Sequence, residues 1–177
     1  MPSLVDHLPA GSFEVGTSTD GMPTIQVPAD QLVRVCQVLR DDPTLAFAVC
    51  VDVTAADYYP REPRFDVVYH LVSPNAKLRL RLRVQATGSS PAVPTVCGLW
   101  PSANWQEREV ADLFGIGFTG HPDPTRLIMP EDWEGHPLRK DYPVQVNMPV
   151  RTYEPLQLTE EEFKANVVAD RQERWRR

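Results

Sequence analysis

The sequence predicts an α+β fold: a mixed, largely antiparallel sheet with a few helices packed on it, followed by a long irregular segment rich in Pro and Gly and by a C-terminal extension. Two segments in the first half alternate apolar and polar residues with the period of a strand, and another has the period of a helix. The chain also has 18 prolines in 177 residues. This is roughly twice the usual proline content, and it limits long helices.

The length suits one domain with appendages, because a chain of this size buries about 68–70% of its unfolded surface in one core. We divide the chain into four parts by composition and pattern. Residues 1–21 are a loose N-terminal lead-in, and residues 22–103 form an α/β core. Residues 104–149 hold a helix and a Pro/Gly-rich signature segment, and residues 150–177 form the C-terminal extension with a helix.

The predicted core begins with a short strand near Thr24 to Val27 and a helix from Pro28 to about Asp41. Pro suits the first turn of a helix, and apolar residues recur at helical spacing: Leu32, Val35, Cys36 and Leu39. The apolar run Leu45 to Val53 follows. A run of this length predicts a strand that is buried on both faces in the middle of the sheet.

Two further strands are predicted from alternation. In the first, apolar residues point to one side: Phe65, Val67, Tyr69 and Leu71. In Lys77 to Gln85 the alternation is complete, and its polar side is a basic stripe: Lys77, Arg79, Arg81 and Arg83. Such a stripe is typical of a solvated sheet face whose charges discourage strand addition, and contact with an acidic partner is the alternative. The Gly, Ser and Pro-rich connection 87–103 contains a short strand around Val96.

Capping patterns place two helices in the second half. Asn104 is a good N-cap, Glu107 stands at the third helical position as in a capping box, and Gly115 can end the helix in the left-handed conformation. Thr159 and Glu162 form a second capping box before the C-terminal helix. Its acidic start and Arg-rich end suit the helix dipole.

Composition excludes several classes of protein. A net charge of −6 disfavours nucleic-acid binding, which depends on clustered Lys and Arg. The longest uncharged apolar run, Leu45 to Val51, is far shorter than the roughly 20 residues of a membrane span. The amino end lacks the basic start and apolar stretch of a secretory signal. Three widely spaced cysteines, Cys36, Cys50 and Cys97, are typical of reduced, buried thiols in a cytosolic protein.

Two groups of residues look like ligand-binding motifs, but their position or spacing in the sequence does not fit ligand binding. Gly115, Gly117 and Gly120 match the dinucleotide fingerprint G-x-G-x-x-G, but a helix precedes them and a Pro-rich loop follows, whereas the fingerprint needs a strand before and a helix after. His121 and His136 have carboxylates nearby in the chain: Asp112, Asp123, Glu134 and Asp141. No spacing among them selects a metal, so we expect the histidines to pin the loop by hydrogen bonds.

Charges on the second helix predict a contact between this helix and the segment after it. Arg108 and Asp112 lie four residues apart, on one face. The carboxylates of this helix are placed to meet basic residues of the following loop: Arg126, Arg139 and Lys140. Together with the aromatic residues around them, these charges favour a structured interface, and a solvated helix is the alternative.

The residues of the second predicted helix and of the segment after it resemble a known family. The similar positions are Glu107-Arg108-Glu109, Asp112-Leu113-Phe114-Gly115, Phe118, Gly120-His121-Pro122 with Arg126, and Gly135-His136-Pro137-Leu138-Arg139-Lys140-Asp141. This pattern of about forty residues resembles the signature of the C subunit, or thirty-kilodalton subunit, of respiratory complex I. Thr125 departs from the pattern, which usually has a basic residue or proline there.

The resemblance implies a subunit in the peripheral arm of a proton-translocating NADH:quinone oxidoreductase, on the cytoplasmic side of the cell membrane. It implies that this chain carries no catalytic, cofactor or metal site, and that FMN and iron–sulfur clusters are bound by other subunits. The expected partners are the large quinone-site subunit and the neighbouring iron–sulfur subunit, with membrane association only through the complex. The signature residues would form or brace this interface.

Three alternatives remain open. An equivalent subunit of a membrane-bound hydrogenase, or of a ferredoxin- or coenzyme-linked quinone reductase, would have a very similar sequence. A free-standing hydrolase or metalloenzyme would use His121, His136 and nearby carboxylates. A soluble adaptor would bind partners that contain neither flavin nor iron.

Overall fold

The computed structural model describes residues 14–17, 19–143 and 159–174. They belong to two compact units, Met1–Pro143 and Val144–Arg177. Within its described residues, the first unit contains seven strands and two helices. The strands are β1 (Glu14–Thr17), β2 (Pro23–Gln26), β3 (Val49–Asp57), β4 (Phe65–Ser73), β5 (Leu78–Ala86), β6 (Ala92–Pro94) and β7 (Gly117–Thr119), and the helices are α1 (Leu32–Asp41), which a 3-10 turn at Ala29–Gln31 precedes, and α2 (Ala103–Phe114).

The main sheet has the strand order β1-β2-β5-β4-β3, and only the β2–β5 pair is parallel. This confirms the predicted α+β class with a largely antiparallel sheet. Strand β1 was not predicted, because four residues without clear alternation have no local signal. β6 and β7, which precede and follow α2 in the chain, pair in parallel as a second small sheet. The sequence predicted a short strand around Val96, and β6 ends two residues before it.

The hydrophobic core joins the main sheet, α1, β6 and α2. The apolar residues predicted on α1 are buried: Leu32, Val35, Cys36 and Leu39. So are the inward residues of the two alternating strands: Phe65, Val67, Tyr69, Leu71, Leu80, Leu82 and Val84. The period-two and period-3.6 patterns therefore identified the core correctly, because each buries one face of its element.

The prediction of a central strand at Leu45 to Val53 is wrong. β3 begins at Val49 and is an edge strand, and the side chains of Val49 and Val51 are 42% and 52% exposed. Leu45 and Phe47 are buried in the preceding turn. The apolar run therefore contains two elements, a turn that fills the core and the start of an edge strand. Periodicity alone does not show where one ends and the other begins.

Side chains from the start of α2 cover part of the β3 edge. Ser102 Oγ donates to the Cys50 carbonyl at 2.9 Å, and Gln106 Nε2 donates to the Val51 carbonyl at 2.9 Å. These bonds occupy acceptors that an exposed edge would offer to another strand. They also fix α2 against the main sheet, which positions the signature residues.

The basic stripe of β5 is part of a cross-strand charge network. Arg81 pairs with Asp20 at 2.7 Å and donates to His70 Nε2 at 3.1 Å, and Arg83 pairs with the buried Asp66. These contacts lie on the side of the strand opposite the buried Leu80, Leu82 and Val84. The structure supports the solvated-face interpretation of this stripe, since Lys77 and Arg79 are exposed. The expected protection against strand addition is wrong, because β5 pairs with β2 and β4 and is not an edge strand.

The second unit contains helix α3 (Glu160–Arg174). Its predicted capping box is present: the Thr159 hydroxyl accepts from the Glu162 backbone, and the Glu162 carboxylate accepts from the Thr159 N–H at 2.9 Å. The rest of the predicted extension, 150–158 and 175–177, and most of the predicted lead-in 1–21 lie outside the described residues. None of the helices in the described ranges combines the length and hydropathy needed to cross a membrane.

Candidate functional site

Helix α2 organises the signature residues, but its capping differs from the prediction. The helix starts after Ser102, without a side-chain cap. Glu107 is not part of a capping box, because its side chain turns inward and is fully buried. At the other end Gly115 adopts φ +70° as predicted. A Cβ atom there would lie 2.4 Å from the His136 ring and 2.6 Å from Arg139, so glycine also gives these two side chains room.

Glu107 connects α2 to the loop after β6. It accepts hydrogen bonds from the Thr95 hydroxyl, from the Val96 N–H at 2.8 Å and from the Cys97 thiol at 3.2 Å. Burial raises the pKa of this carboxyl, and the three hydrogen bonds oppose that rise. Burial also raises the pKa of the Cys97 thiol to about 11. Glu107 therefore holds the α2–β6 contact from inside the fold.

Arg108 and Asp112 bind the segment that follows β7. Arg108 donates to the Thr125 carbonyl at 2.9 Å and to the Arg126 carbonyl at 3.2 Å, and it lies 4.9 Å from the Trp105 ring centre. Asp112 Oδ2 accepts from three consecutive backbone N–H groups, those of Leu127, Ile128 and Met129, at 3.1, 2.8 and 2.8 Å. The predicted contact between α2 and the segment is present, and it is made chiefly with backbone atoms. Of the predicted pairs between helix carboxylates and Arg126, Arg139 and Lys140, the described residues show Asp112 with Arg126 alone.

Asp112 is buried and ionised. Burial opposes its ionisation, but the three N–H groups and Arg126 outweigh this, so the pKa of Asp112 lies below its ordinary value. Its second oxygen, Oδ1, and Arg126 Nη1 are both buried without a hydrogen bond among the described residues. They face each other at 3.7 Å, which identifies Arg126 as the counter-ion.

The two signature histidines pin the loop, as predicted. His121 Nε2 lies 3.1 Å from the Asn104 carbonyl, and its Nδ1 accepts from the Asp123 N–H at 3.1 Å. His136 Nδ1 lies 2.8 Å from the Asp112 carbonyl. The fold does not unite the histidines and carboxylates that the sequence suggested as possible ligands. Among the described residues, a different group brings ligand-type atoms together: Cys97, Glu107 and His121.

The end of the segment closes over the C-terminus of α2. Arg139 Nε donates to the Phe114 carbonyl at 2.6 Å, and its Nη2 donates to the Gly115 carbonyl at 3.2 Å. The Leu138 N–H donates to the Leu113 carbonyl. A guanidinium at the carbonyl end of a helix also complements the helix dipole. Arg139 is thus a brace inside this chain.

Lys140 and Asp141 attach the segment to the main sheet through two residues that the sequence analysis missed. Asp57, at the end of β3, accepts from the Lys140 N–H at 2.9 Å and from Arg64. Arg64 also donates to Asp141 at 3.0 Å. Hydrogen bonds from Arg64 hold the pKa of the Asp57 carboxyl well below its usual range. No local pattern could have found this contact, because Arg64 and Asp141 are far apart in the sequence.

The outer side of α2 and of the segment is exposed. Glu109 points to solvent, and three large apolar side chains are 61%, 54% and 50% exposed: Trp105, Ile128 and Leu138. Trp105 lies on α2 itself, and the backbone N–H groups of Ile128 and Leu138 bond α2. The arrangement is an irregular segment with a fixed inner side and an exposed outer side, which suits recognition of another protein more than chemistry on a small molecule.

Comparison with known proteins is consistent with this geometry. Residues 25–147 match the family described as respiratory-chain NADH dehydrogenase, 30 Kd subunit. The chain is 51% identical over 121 residues to the C subunit of NADH-quinone oxidoreductase from Roseiflexus sp. (strain RS-1), covering 68% of this chain and 70% of the relative. It is 46% identical over 146 residues to the protein of the same name from Xanthobacter autotrophicus, covering 78% of this chain and 69% of the relative.

Solved structures share the fold. The trypsin-resistant fragment (1-134) of Nqo5 superposes with a TM-score of 0.57 at 32% identity, covering 69% of this chain and 97% of the fragment. A chain of the membrane-bound sulfane sulfur reductase, an archaeal respiratory membrane complex, has a TM-score of 0.68 at 24% identity, covering 81% of this chain and 83% of that chain. The second likeness concerns the fold alone. On the signature residues and the family match together, this chain belongs to the 30 Kd subunit family of respiratory-chain NADH dehydrogenase, that is, the thirty-kilodalton subunits of complex I.

Proposed function

We propose that this chain is a non-redox, non-catalytic subunit in the peripheral arm of a proton-translocating NADH:quinone oxidoreductase. It docks on the large quinone-site subunit and braces it during electron transfer from NADH to quinone. Family membership and the names of the relatives, each the C subunit of an NADH-quinone oxidoreductase, support the complex. The two-sided signature segment is the observation that supports docking.

The inner side of this segment is fixed at many points. Its backbone atoms bond side chains or carbonyls of α2 and β3, at four residues: Thr125, Ile128, Leu138 and Lys140. A segment without regular structure is therefore held in one conformation before it meets a partner, which lowers the entropic cost of binding. A preorganised surface of this kind favours docking.

The outer side has the composition of an interface. Trp105, Ile128 and Leu138 are large apolar residues at the surface, and an aromatic residue stacked on an arginine is common where proteins bind one another. Glu109 and Lys140 add exposed charges of both signs. We assign this docking surface, defined by Trp105, Glu109, Ile128, Leu138 and Lys140, to the quinone-site subunit.

The remaining elements of the proposal concern the complex as a whole. FMN and the iron–sulfur clusters are bound by other subunits, and the neighbouring iron–sulfur subunit is a second partner. The chain lies on the cytoplasmic side and associates with the membrane only through the complex. The isolated chain is then expected to have no NADH:quinone activity of its own.

A pull-down from native membranes in mild detergent tests the proposal. The tagged wild-type chain should recover a quinone-site subunit, iron–sulfur proteins and flavin, identified by mass spectrometry and by iron and flavin assays. Ile128→Asp and Leu138→Asp should each reduce this recovery severalfold, because they place a charge in an apolar contact. Val15→Asp is the matched control, since Val15 is 64% exposed on β1, and it should recover the complex fully.

The same eluate separates the alternatives. Hydrogenase subunits with nickel would assign the chain to a related machine, and a lone folded chain would contradict docking. Charge reversal at Lys140 is a suitable further variant because its side chain is exposed. Charge reversal at Arg139 is not, because Arg139 braces α2 and its loss would disturb the fold of this chain as well as the interface.

A further inference from the structure

Three side chains of the kinds that bind metals converge beside α2. Cys97 comes from the loop after β6, Glu107 from α2 and His121 from the loop after β7, and their ligand atoms all lie within 4.8 Å of one another. Cys97 Sγ is 3.2 Å from Glu107 Oε2, and His121 Nε2 is 3.9 Å from the same oxygen. The contacts join residues that are well separated along the chain.

Among the residues that the structure describes, no Lys or Arg forms an ion pair with the carboxylate at the centre of this cluster. The Glu107 side chain is fully buried. Its Oε2 lies 3.9 Å from Nε2 of His121, whose side chain is 2% exposed. Hydrogen bonds from Thr95 and Val96 orient the carboxylate but do not cancel its charge. A buried carboxylate is stabilised by a cation held close to it.

We propose that Cys97, Glu107 and His121 form a zinc site that fastens the loops after β6 and β7 to α2. Thiolate, imidazole and carboxylate are the three ligand types that Zn²⁺ takes in proteins. Mg²⁺ and Ca²⁺ are disfavoured, because they require oxygen ligands. Three protein ligands leave one position for water, and Cys97 is not fully buried.

The chemistry of binding is a simple exchange. The Cys97 thiol loses its proton to solvent and the sulfur bonds Zn²⁺, so one proton is released for each ion bound. His121 would bind the ion through Nε2 and give up its contact with the Asn104 carbonyl. The ring proton would then be on Nδ1, and the Asp123 N–H would lose Nδ1 as its acceptor. Thr95 remains as the outer partner of Glu107.

The site as a whole becomes neutral, because one thiolate and one carboxylate balance the two charges of the ion. Zn²⁺ has no redox chemistry, so this role is structural and is independent of the proposed docking function. The stabilised contact is the one between α2 and the β6 and β7 loops, on which the position of the signature segment depends.

Cobalt substitution provides the test. The full chain, without a histidine tag and stripped with EDTA, is titrated with Co²⁺ and then with Zn²⁺. We expect saturation at one Co²⁺ per chain, a sulfur-to-cobalt charge-transfer band in the near ultraviolet that Zn²⁺ displaces, release of one proton per ion, and a higher Tm with Zn²⁺. Cys97→Ala should lose the band and the Tm shift.

Cys50→Ala is the matched control, because Cys50 is a buried thiol outside the ligand group, and it should keep both signals. His121→Gln is the second ligand variant. It should retain the thiolate band while weakening binding at least tenfold, with far-UV circular dichroism verifying the fold of each variant. Absence of saturable binding, a band that persists in Cys97→Ala, or equal loss in Cys50→Ala would overturn the proposal.

Discussion

The main sheet with α1 and the signature segment on α2 are ordered by different forces. The first region is regular, and it buries apolar residues from α1 and from strands β2 to β5, such as Leu39, Tyr69 and Leu82. The second is irregular, and it is held by charged side chains that bond backbone atoms, with Asp112 as the centre. Both are well defined, so regular secondary structure is not a condition for a fixed surface.

The difference follows from what each region must leave free. A strand or helix satisfies its own backbone groups and uses side chains for packing. The signature segment has few backbone pairs of its own, so α2 must supply partners for its N–H and C=O groups. The inner side of the segment is occupied by these bonds to α2, and the outer apolar residues remain free to contact another protein.

The largest expected effect is in the first region. Leu82→Ala removes a fully buried side chain in the middle of β5 and should lower the free energy of unfolding by about 2–5 kcal/mol. Urea denaturation followed by circular dichroism measures this change. Because the signature segment rests on the same unit, both regions should unfold together. Loss of the segment alone would show that the core does not support it.

A second change separates backbone strain from close contact. Gly115→Ala introduces a residue at φ +70° whose Cβ would meet His136 and Arg139, and it should cost about 2–4 kcal/mol in total. Gly88→Ala is the control, because Gly88 has φ +88° but no atom near its Cβ position. Its cost should be about 1–2 kcal/mol from strain. Equal Tm losses in the two variants would mean that the His136 and Arg139 contacts contribute little.

A third change releases the segment while leaving the core intact. Asp112→Ala leaves three backbone N–H groups without their acceptor and should cost about 1.5–3 kcal/mol. Hydrogen exchange should accelerate at Leu127, Ile128 and Met129 before it changes at Leu82. Asp30→Ala is the control, since Asp30 is exposed and bonds its neighbour Gln31. Uniform acceleration over the whole chain would contradict the separation of the two regions.

The smallest effect depends on pH and concerns the link between the regions. Arg64 holds the pKa of Asp57 below its ordinary value, so ionised Asp57 stabilises the folded state above the unfolded-state pKa of about 4. This contribution is lost as the pH falls below about 4 toward the folded-state pKa. The stability difference between wild type and Asp57→Asn should therefore be constant from pH 8 to 5 and smaller at pH 3. A stability difference between wild type and Asp57→Asn that grows as the pH falls would contradict a stabilising role for ionised Asp57.

Much of the first region could be predicted from the sequence, because its elements are ordered by local periodicity. The burial of Leu32, Val35 and Leu39 follows directly from helical spacing. β3 was misplaced because the apolar run before it mixes a turn with an edge strand. The topology, with β2 parallel to β5, depends on contacts between distant segments, which a local pattern does not contain.

The candidate site was predicted in composition and only partly in geometry. The resemblance identified Asp112, His121, His136 and Arg139, and the structure shows each of them bonding backbone atoms. Glu107 was assigned to a cap and is a buried hub. Its contact with Cys97 had no signal in the sequence, because the two residues meet only after α2 packs beside β6.

Backbone anchoring also affects how the chain can change through evolution. Between Met129 and Leu138, two anchored backbone groups enclose a stretch of constant length. Single-residue insertions or deletions there would displace one anchor from its partner, whereas many side-chain replacements would leave both in place. Thr125, which departs from the family pattern, still presents its carbonyl to Arg108. Spacing should accordingly be retained across relatives more strictly than residue identity at the intervening positions, and the exposed turn around Gly88 should be where length varies.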